Sequence, residues 1–167
     1  MTRGIMSEKA ASSLIEKLVS GGQTGVDSAA LDVALELGIP CGGWCPKGRR
    51  SESGVIPPDY ALTETPSEDV AQRTEWNARD SDGTLVIVEG PTVGGTTLTV
   101  DMAVRYEKPH LIVDLLRPHD DVRDSVRAWI AKNKIRVLNV AGPRESTTPG
   151  INAKTKALLR RVLGEAA

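Results

Sequence analysis

Strands and helices alternate along this chain, as the spacing of its apolar residues indicates. Residues 84–88 form a continuous apolar and β-branched run, which is typical of a parallel strand that is buried on both faces. Less continuous runs predict five more strands, at residues 14–20, 39–45, 60–65, 110–115 and 135–141. Residues 14–17 fit the end of a helix equally well.

Apolar residues three and four positions apart predict a helix after most of these strands. The first predicted helix ends at Leu37, before Gly38, and the second begins near Val70 behind a Ser67 cap. The third runs from about Thr97 to Glu107, and the last two occupy residues 120–132 and 152–163. Glycine after a helix and serine before one are common end signals. The residues expected to face the core in the last two helices are Val122, Val126, Trp129 and Ile130, then Ala153, Ala157, Leu158 and Val162.

This alternation predicts an α/β fold, a three-layer, Rossmann-like arrangement with a mostly parallel, doubly wound sheet. The 167 residues suit one domain, which we expect to span residues 1–167 with residues 1–12 as a loose or short helical lead-in. Right-handed crossovers would bring the loops that follow the strands to one edge of the sheet.

Three glycine-rich loops follow predicted strands, at Gly21, Gly94 and Gly142. The first reads Gly21-Gly22-Gln23-Thr24-Gly25, and a helix leaves it directly. Its backbone N–H groups and the positive end of the helix dipole favour an anion, most often a phosphate. The alternative is that the glycines only let the chain turn sharply. Because Gly94-Gly95-Thr96-Thr97 repeats the pattern, we expect both loops to hold a ligand at the carboxyl edge of the sheet.

Motif spacing and charge exclude several classes of function. The P-loop pattern is absent and the first loop does not have the G-x-G-x-x-G spacing, which argues against a P-loop NTPase and ordinary dinucleotide binding. The net charge of −1 argues against general binding of nucleic acid or membrane surfaces. There is no membrane-length apolar run or secretory leader, and Cys41 and Cys45 have neither disulfide-framework nor metal-site spacing. We therefore expect a cytoplasmic protein with reduced thiols.

Local positive charge is concentrated in a polar loop at residues 46–58. Lys47, Arg49 and Arg50 lie within four positions, beside Gly48. Loops of about a dozen residues are often functional. These cations either bind an anionic ligand or form a solvated surface.

Arg73 and Asn77 lie four residues apart and therefore share one face of the second predicted helix. They either point at a ligand, or Arg73 pairs with Asp69 on the surface. We expect the surface pairing.

The remaining polar residues form no catalytic set and no metal-ligand cluster. His110 and His119 lie far from the glycine loops in sequence, and we expect them to be structural. The candidate acids are Asp27, Glu52, Asp101 and Glu145. Asp27 and Asp101 lie in the first turns of helices, where the helix dipole stabilises a carboxylate. The alternatives are hydrogen bonds to ribose or pterin donors of a ligand, or a role as general base.

One family combines these motifs. They are residues 20–27, residues 43–50, Ile56 and Pro57 with Tyr60, Arg73 and Asn77 ahead of residues 81–84, and residues 94–96. In this combination the chain resembles the molybdenum carrier (molybdenum cofactor carrier protein) family. The resemblance is strongest over residues 18–115, and the combination is specific although each motif alone is weak.

The resemblance implies a Rossmann-like fold that binds, protects and transfers the molybdenum cofactor (molybdopterin) as cargo, without chemistry. It also implies molybdoenzymes as recipients and a homo-oligomer, a dimer or tetramer. The cofactor's phosphate suits a glycine loop, and its anionic dithiolene–oxomolybdenum head suits local cations. The residues implied to bind the cofactor are Gly21, Gly22, Gln23, Thr24, Gly25, Asp27, Lys47, Gly48, Arg49, Arg50, Arg73, Asn77, Gly94, Gly95, Thr96 and Thr97.

Two other functions stay open. Residues 93–98 with Asp101 are similar to the P-G-G-x-G-T-x-x-E motif of lysine-decarboxylase-like phosphoribohydrolases, which cleave nucleoside monophosphates. With the double glycine aligned, Val93 replaces the proline, Thr97 the third glycine, Leu98 the threonine and Asp101 the glutamate. These departures argue against hydrolysis, so we expect a carrier more than an enzyme. The third function is a sensor of nucleotide-derived ligands such as ADP-ribose.

Overall fold

The computed structural model describes residues 14–117 and 121–164. The strands in these ranges are β1 (Lys17–Val19), β2 (Cys41–Gly42), β3 (Trp44–Cys45), β4 (Arg50–Ser51), β5 (Gly54–Val55), β6 (Thr63–Glu64), β7 (Gly83–Val88), β8 (His110–Asp114) and β9 (Val137–Ala141). The helices are α1 (Val26–Leu37), α2 (Val70–Asp80), α3 (Gly94–Arg105), α4 (Val122–Lys132) and α5 (Ile151–Leu163). The predicted lead-in and His119 lie outside the described residues.

Five parallel strands form the central sheet, in the order β2-β1-β9-β7-β8. The chain moves from β1 to β2 in one direction and from β7 to β8 in the other. Because parallel crossovers are right-handed, the helices of these two connections lie on opposite faces of the sheet. The predicted doubly wound, Rossmann-like α/β fold is therefore confirmed.

The helices pack in two layers over the sheet. On one face α5 packs against both α1 and α4, and on the other face α2 packs against α3. Between the layers, β7 is buried along its whole length, as its apolar run predicted. Leu18, Leu138 and Leu159 are fully buried beside it. Burial of each such side chain contributes about 1.5–3 kcal/mol, so aliphatic residues suffice for a core without phenylalanine.

The predicted strand at residues 39–45 is divided between two sheets. β2 pairs with β1 in the central sheet, whereas β3 pairs with β6 outside it. Gly43 separates them with a φ of 121°, and a Cβ there would lie 2.5 Å from the Ser20 carbonyl oxygen. The close backbone approach that these glycines predicted is confirmed. The single strand is wrong, because the chain leaves the central sheet at this residue.

Residues 46–65 differ from the prediction in two places. Residues 46–58, expected to be irregular, contain a short hairpin of β4 and β5. The predicted strand at residues 60–65 is reduced to β6 and lies outside the central sheet. β8 is an edge strand in which only Val113 is buried, because it has one neighbouring strand instead of two.

Three helix details also differ from the prediction. Asp69, not Ser67, caps α2, because its Oδ1 accepts the Ala71 N–H at 3.0 Å. α3 begins at Gly94 instead of near Thr97, so the double glycine lies within the first turn. α5 exposes Ala153 and Ala157, because larger side chains such as Ile151 and Leu159 gain more from burial. Within the described residues, no helix is long and apolar enough to cross a membrane.

Candidate functional site

A cavity of about 260 Å³ lies at the carboxyl edge of the central sheet. Its walls come from the loops after β1, β7 and β9, together with α2 and the start of α3. The lining residues are Gln23, Asp27, Val70, Arg73, Thr74, Val93, Gly94, Gly95, Thr96, Leu98, Thr99, Ala141, Gly142, Pro143, Arg144 and Thr147. The helices that follow β7 and β9 lie on opposite faces of the sheet, and open α/β sheets bind ligands in the crevice at such a point. The predicted convergence of the three glycine-rich loops is confirmed.

A buried ion pair forms one wall of this cavity. Arg73 Nη1 lies 3.5 Å from Asp27 Oδ2, and the two side chains are 15% and 4% exposed. The same carboxylate oxygen accepts the Gln23 N–H at 3.2 Å. Burial raises the pKa of the Asp27 carboxyl to about 6, because the cost of desolvation exceeds the stabilising effect of the Arg73 charge. The expected surface pair of Arg73 with Asp69 is wrong, since Asp69 caps α2.

Arg73 keeps unused hydrogen-bond donors at the cavity. Its Nε is buried and has no partner among the described residues. The guanidinium carries five N–H donors, and the contact with Asp27 is long for a charge-assisted hydrogen bond. Gly21 makes room for this group, because a Cβ at Gly21 would lie 2.2 Å from Arg73 Nη1.

The N-terminus of α3 forms another part of the cavity wall and has no side-chain cap. Val93, the N-cap residue, has an apolar side chain that is 57% exposed. The N–H groups of Gly94 and Gly95 have no acceptor among the described residues, whereas the Thr96 N–H reaches the Val93 carbonyl at 3.1 Å. Free N–H groups and the positive end of the helix dipole favour a bound anion here.

The first glycine loop differs, because the chain itself supplies acceptors to its N–H groups. Asp27 accepts from Gln23, as described above, and the Gln23 side-chain oxygen accepts the Thr24 N–H at 3.0 Å. The Val26 N–H reaches the Pro143 carbonyl at 3.3 Å. This loop therefore supplies Gln23 and Asp27 to the cavity wall, while much of its donor capacity is already used.

Glu52 and Glu145, two of the candidate acids, hold the loops around the cavity together. Glu52 accepts hydrogen bonds from the hydroxyls of Thr24 and Ser146, and from the Ser146 N–H at 3.1 Å. These hydrogen bonds hold the pKa of the Glu52 carboxyl below its usual range. Glu145 accepts the N–H groups of Gly150 and Asn152, at 2.6 and 3.0 Å, at the start of α5.

The basic loop is separate from the cavity. Arg49 donates to the carbonyls of Pro57, Tyr60 and Leu62, at 2.8, 3.0 and 3.2 Å, and so fixes the fold of its own loop. Lys47 and Arg50 are exposed at the surface and do not line the cavity.

Asn77 is buried and uses its amide on the backbone of Trp44. It accepts the Trp44 N–H at 2.8 Å and donates to the Trp44 carbonyl at 2.9 Å.

Of the residues predicted to bind ligand, the structure brings together Gln23, Asp27, Arg73, Gly94, Gly95 and Thr96. It does not bring Gly21, Gly22, Thr24, Gly25, Lys47, Gly48, Arg49, Arg50, Asn77 or Thr97 into the lining of this cavity.

The structure does not place the acid of the hydrolase motif in this cavity. Asp101, which aligns with the acid of the phosphoribohydrolase motif, is exposed on α3 and does not line the cavity. No group of three or more His, Cys, Asp and Glu side chains in the described ranges is placed to hold a metal ion. Cys41 and Cys45 are not disulfide-bonded, and burial raises the pKa of both thiols.

Two buried threonines of the cavity were missed in the sequence. Thr99 lies three residues after Thr96 and therefore on the same face of α3, which is a signal that the sequence contains. Thr74 follows Arg73 directly on α2 and carries no comparable signal. Both add hydroxyl groups to the wall.

Two comparisons with known proteins agree with this description. A model of the circularly permutated YpsA SLOG family matches residues 18–163. The fold is similar to the crystal structure of the "Putative molybdenum carrier protein" from Syntrophus aciditrophicus SB, with 46% identity, coverage of 91% of this chain and 97% of that chain, and a TM-score of 0.89. No curated protein matches this sequence. Together with the cavity, these similarities support a ligand-binding role.

Proposed function

Because this chain belongs to the circularly permutated YpsA SLOG family, we propose that its cavity binds a small phosphorylated ligand, the molybdenum cofactor. The resemblance to molybdenum carriers in the sequence is confirmed by the structural neighbour at 46% identity. In this proposal the protein protects the cofactor as cargo and passes it to molybdoenzymes, and it works as a homo-oligomer.

One observation carries this proposal: two independent anion-binding elements meet in a single cavity. The uncapped start of α3 offers the N–H groups of Gly94 and Gly95. The guanidinium of Arg73, whose contact with Asp27 is 3.5 Å long, belongs to the same cavity wall. A phosphate group accepts hydrogen bonds from both kinds of donor. The phosphate of the cofactor therefore binds between α3 and Arg73.

The outer part of the cavity suits the second anionic group of the cofactor. Arg144 lines the cavity, its side chain is 54% exposed, and its contact with Glu52 is 3.9 Å long. A pair of this kind is weak because solvent screens it. Arg144 is thus available to the dithiolene–oxomolybdenum head, while Thr147 adds a hydroxyl beside it.

The test is anaerobic titration of the protein with free molybdenum cofactor, following both binding and the rate of cofactor oxidation. We expect saturable binding that slows oxidation. Arg73→Ala should weaken binding by about 1.5–3 kcal/mol, the usual value of a hydrogen bond to a charged group. Arg136→Ala is the matched control, because Arg136 is 67% exposed and pairs only with Glu16 on the surface. Absence of saturable binding would contradict the proposal.

The same titration separates the carrier from the nucleotide alternatives, which share the phosphate chemistry. Nucleoside monophosphates and ADP-ribose are titrated in parallel, and free base is measured by chromatography. We expect these ligands to bind more weakly than the cofactor, with no base released. Tighter binding of a nucleotide would favour a sensor, and release of base would show a hydrolase.

A further inference from the structure

We propose that Asp27 determines which ligands this cavity accepts: it is the resident counter-ion of Arg73, and a ligand anion enters together with one proton that neutralises Asp27. This inference rests on the proposed anion-binding function and deepens it. The site then selects oxyanions that can accept a hydrogen bond from a protonated carboxyl group.

The geometry places the carboxylate where a second anion must come close. Asp27 Oδ2 already contacts Arg73 Nη1 at 3.5 Å and the Gln23 N–H at 3.2 Å. Asp27 and Arg73 both line the cavity. A ligand anion that reaches the guanidinium therefore lies beside a buried carboxylate, and two like charges that share a desolvated site strongly favour protonation of one of them.

The other charged groups around Asp27 leave the repulsion between its carboxylate and a ligand anion in place. From α2 only Arg73 faces Asp27, and the part of α3 in the cavity wall carries no charged side chain. Arg144, from the loop after β9, lies toward Glu52 of the hairpin. Glu89, which follows β7, is paired with Lys154 of α5 at 3.0 Å. The lining thus contains two cations, Arg73 and Arg144, and one carboxylate, Asp27. Asp27 offsets the charge of Arg73, and Arg144 lies toward Glu52.

Protonation of Asp27 removes the repulsion between its carboxylate and the ligand anion, and it adds a hydrogen bond between the two. A neutral carboxyl group keeps an acceptor oxygen for the Gln23 N–H and gains an O–H donor for a ligand oxygen. Arg73 is then released from its counter-ion and can direct its donors to the ligand. Burial already raises the pKa of Asp27 to about 6, so the proton is available at small cost near neutral pH.

The experiment uses sulfate as the probe, because its charge is constant over the pH range tested. Binding is measured by calorimetry on the full chain, in pairs of buffers that differ in ionisation enthalpy. At about pH 7.5 we expect uptake of about one proton per sulfate, and affinity that falls about tenfold per pH unit above the Asp27 pKa. Asp27→Asn should take up no proton, lose the pH dependence and bind sulfate at least about tenfold more tightly at the same pH.

The outcomes separate the two proposals. Sulfate binding without proton uptake, or an unchanged pH profile in Asp27→Asn, would overturn this inference and leave the anion site in place. No sulfate or cofactor binding in either protein, even at low pH, would remove the proposed function and this inference with it. Asp124→Asn, an exposed carboxylate of α4 outside the cavity, should keep the wild-type profile. If Asp27→Asn folds poorly, absence of proton uptake in the wild type still overturns the inference.

Discussion

The starts of α1 and α3 have similar sequences, but they differ in whether the chain supplies acceptors to their backbone N–H groups. Both follow a parallel strand, both contain glycines, and neither N-cap residue makes a side-chain cap. At α1, however, Asp27, Gln23 and the Pro143 carbonyl accept the N–H groups of Gln23, Thr24 and Val26. At α3, the N–H groups of Gly94 and Gly95 have no acceptor among the described residues.

The difference shows that a glycine-rich helix start leaves N–H groups for a ligand only where the chain supplies no acceptor of its own. The first loop is already closed by an internal carboxylate, and its glycines serve close packing. The second start is open and lines the same cavity as Arg73. Of the two loops predicted as anion sites, the second is therefore the one to which we assign the proposed phosphate site.

The largest expected effect on stability comes from adding a methyl group at Gly25, the N-cap residue of α1. Gly25 has a φ of 80°, and a Cβ there would lie 2.4 Å from the Pro143 carbonyl oxygen. We expect Gly25→Ala to lower the free energy of unfolding by more than about 3 kcal/mol, since backbone strain and a backbone clash act together. Urea denaturation measures this loss.

Gly95→Ala is the matched control at the open start, because nothing lies within 4 Å of its added Cβ. Its stability should change by less than about 1 kcal/mol, in the stabilising direction. Equal losses from both substitutions would show that the two starts are packed alike and would break the comparison.

A smaller effect is expected from neutralising the internal carboxylate. Burial raises the pKa of Asp27 from 3.8 to about 6, so the folded state holds the proton more tightly than the unfolded state. The associated stability is fully present below pH 4 and is lost as the pH rises through 6, up to about 3 kcal/mol. Asp27→Asn should therefore be more stable than the wild type near neutral pH, by about 1–3 kcal/mol.

The readout is the difference in urea midpoint between Asp27→Asn and the wild type, measured from acid to neutral pH. This difference should vanish near pH 4 and be largest above pH 6. A wild type that is the more stable protein at neutral pH would mean that the Arg73 pair outweighs desolvation, and that the closed start is stabilised by its charge.

A small gain in stability is expected from capping the start of α3. Val93→Asp places a capping carboxylate at the N-cap of α3, where the backbone has the extended conformation that capping residues adopt. We expect a gain of about 1 kcal/mol in stability and a clear loss of anion binding, measured by calorimetry with sulfate. Val93→Asn separates the cap from its charge and should lose less affinity. Unchanged binding in Val93→Asp would show that the anion lies elsewhere.

Features with local causes could be predicted from the sequence. The apolar run at residues 84–88 became β7, and Gly38 ends α1 in a left-handed conformation. The two glycine-rich helix starts were found for the same reason, because strand, glycine and helix follow one another within a few residues.

The partners of individual side chains could not be predicted, because they come from distant parts of the chain. Arg73 meets Asp27 across 46 residues, and this contact replaced the local pair with Asp69. Arg49 became a support for its own loop once the carbonyls of Pro57 and Tyr60 gathered around it. Charge and spacing alone cannot separate such a support from a ligand-binding cation.

The position of β9 has a consequence for how this protein is made. β9 is the last of the described strands along the chain, yet it lies between β1 and β7 in the sheet. On the ribosome, β1, β2, β7 and β8 are therefore synthesised before the strand that joins them. Until β9 is made, β1 and β7 each lack the strand that joins them, and unpaired strand edges can template association with other chains. We therefore expect a chain that stops before residue 137 to lack the central sheet.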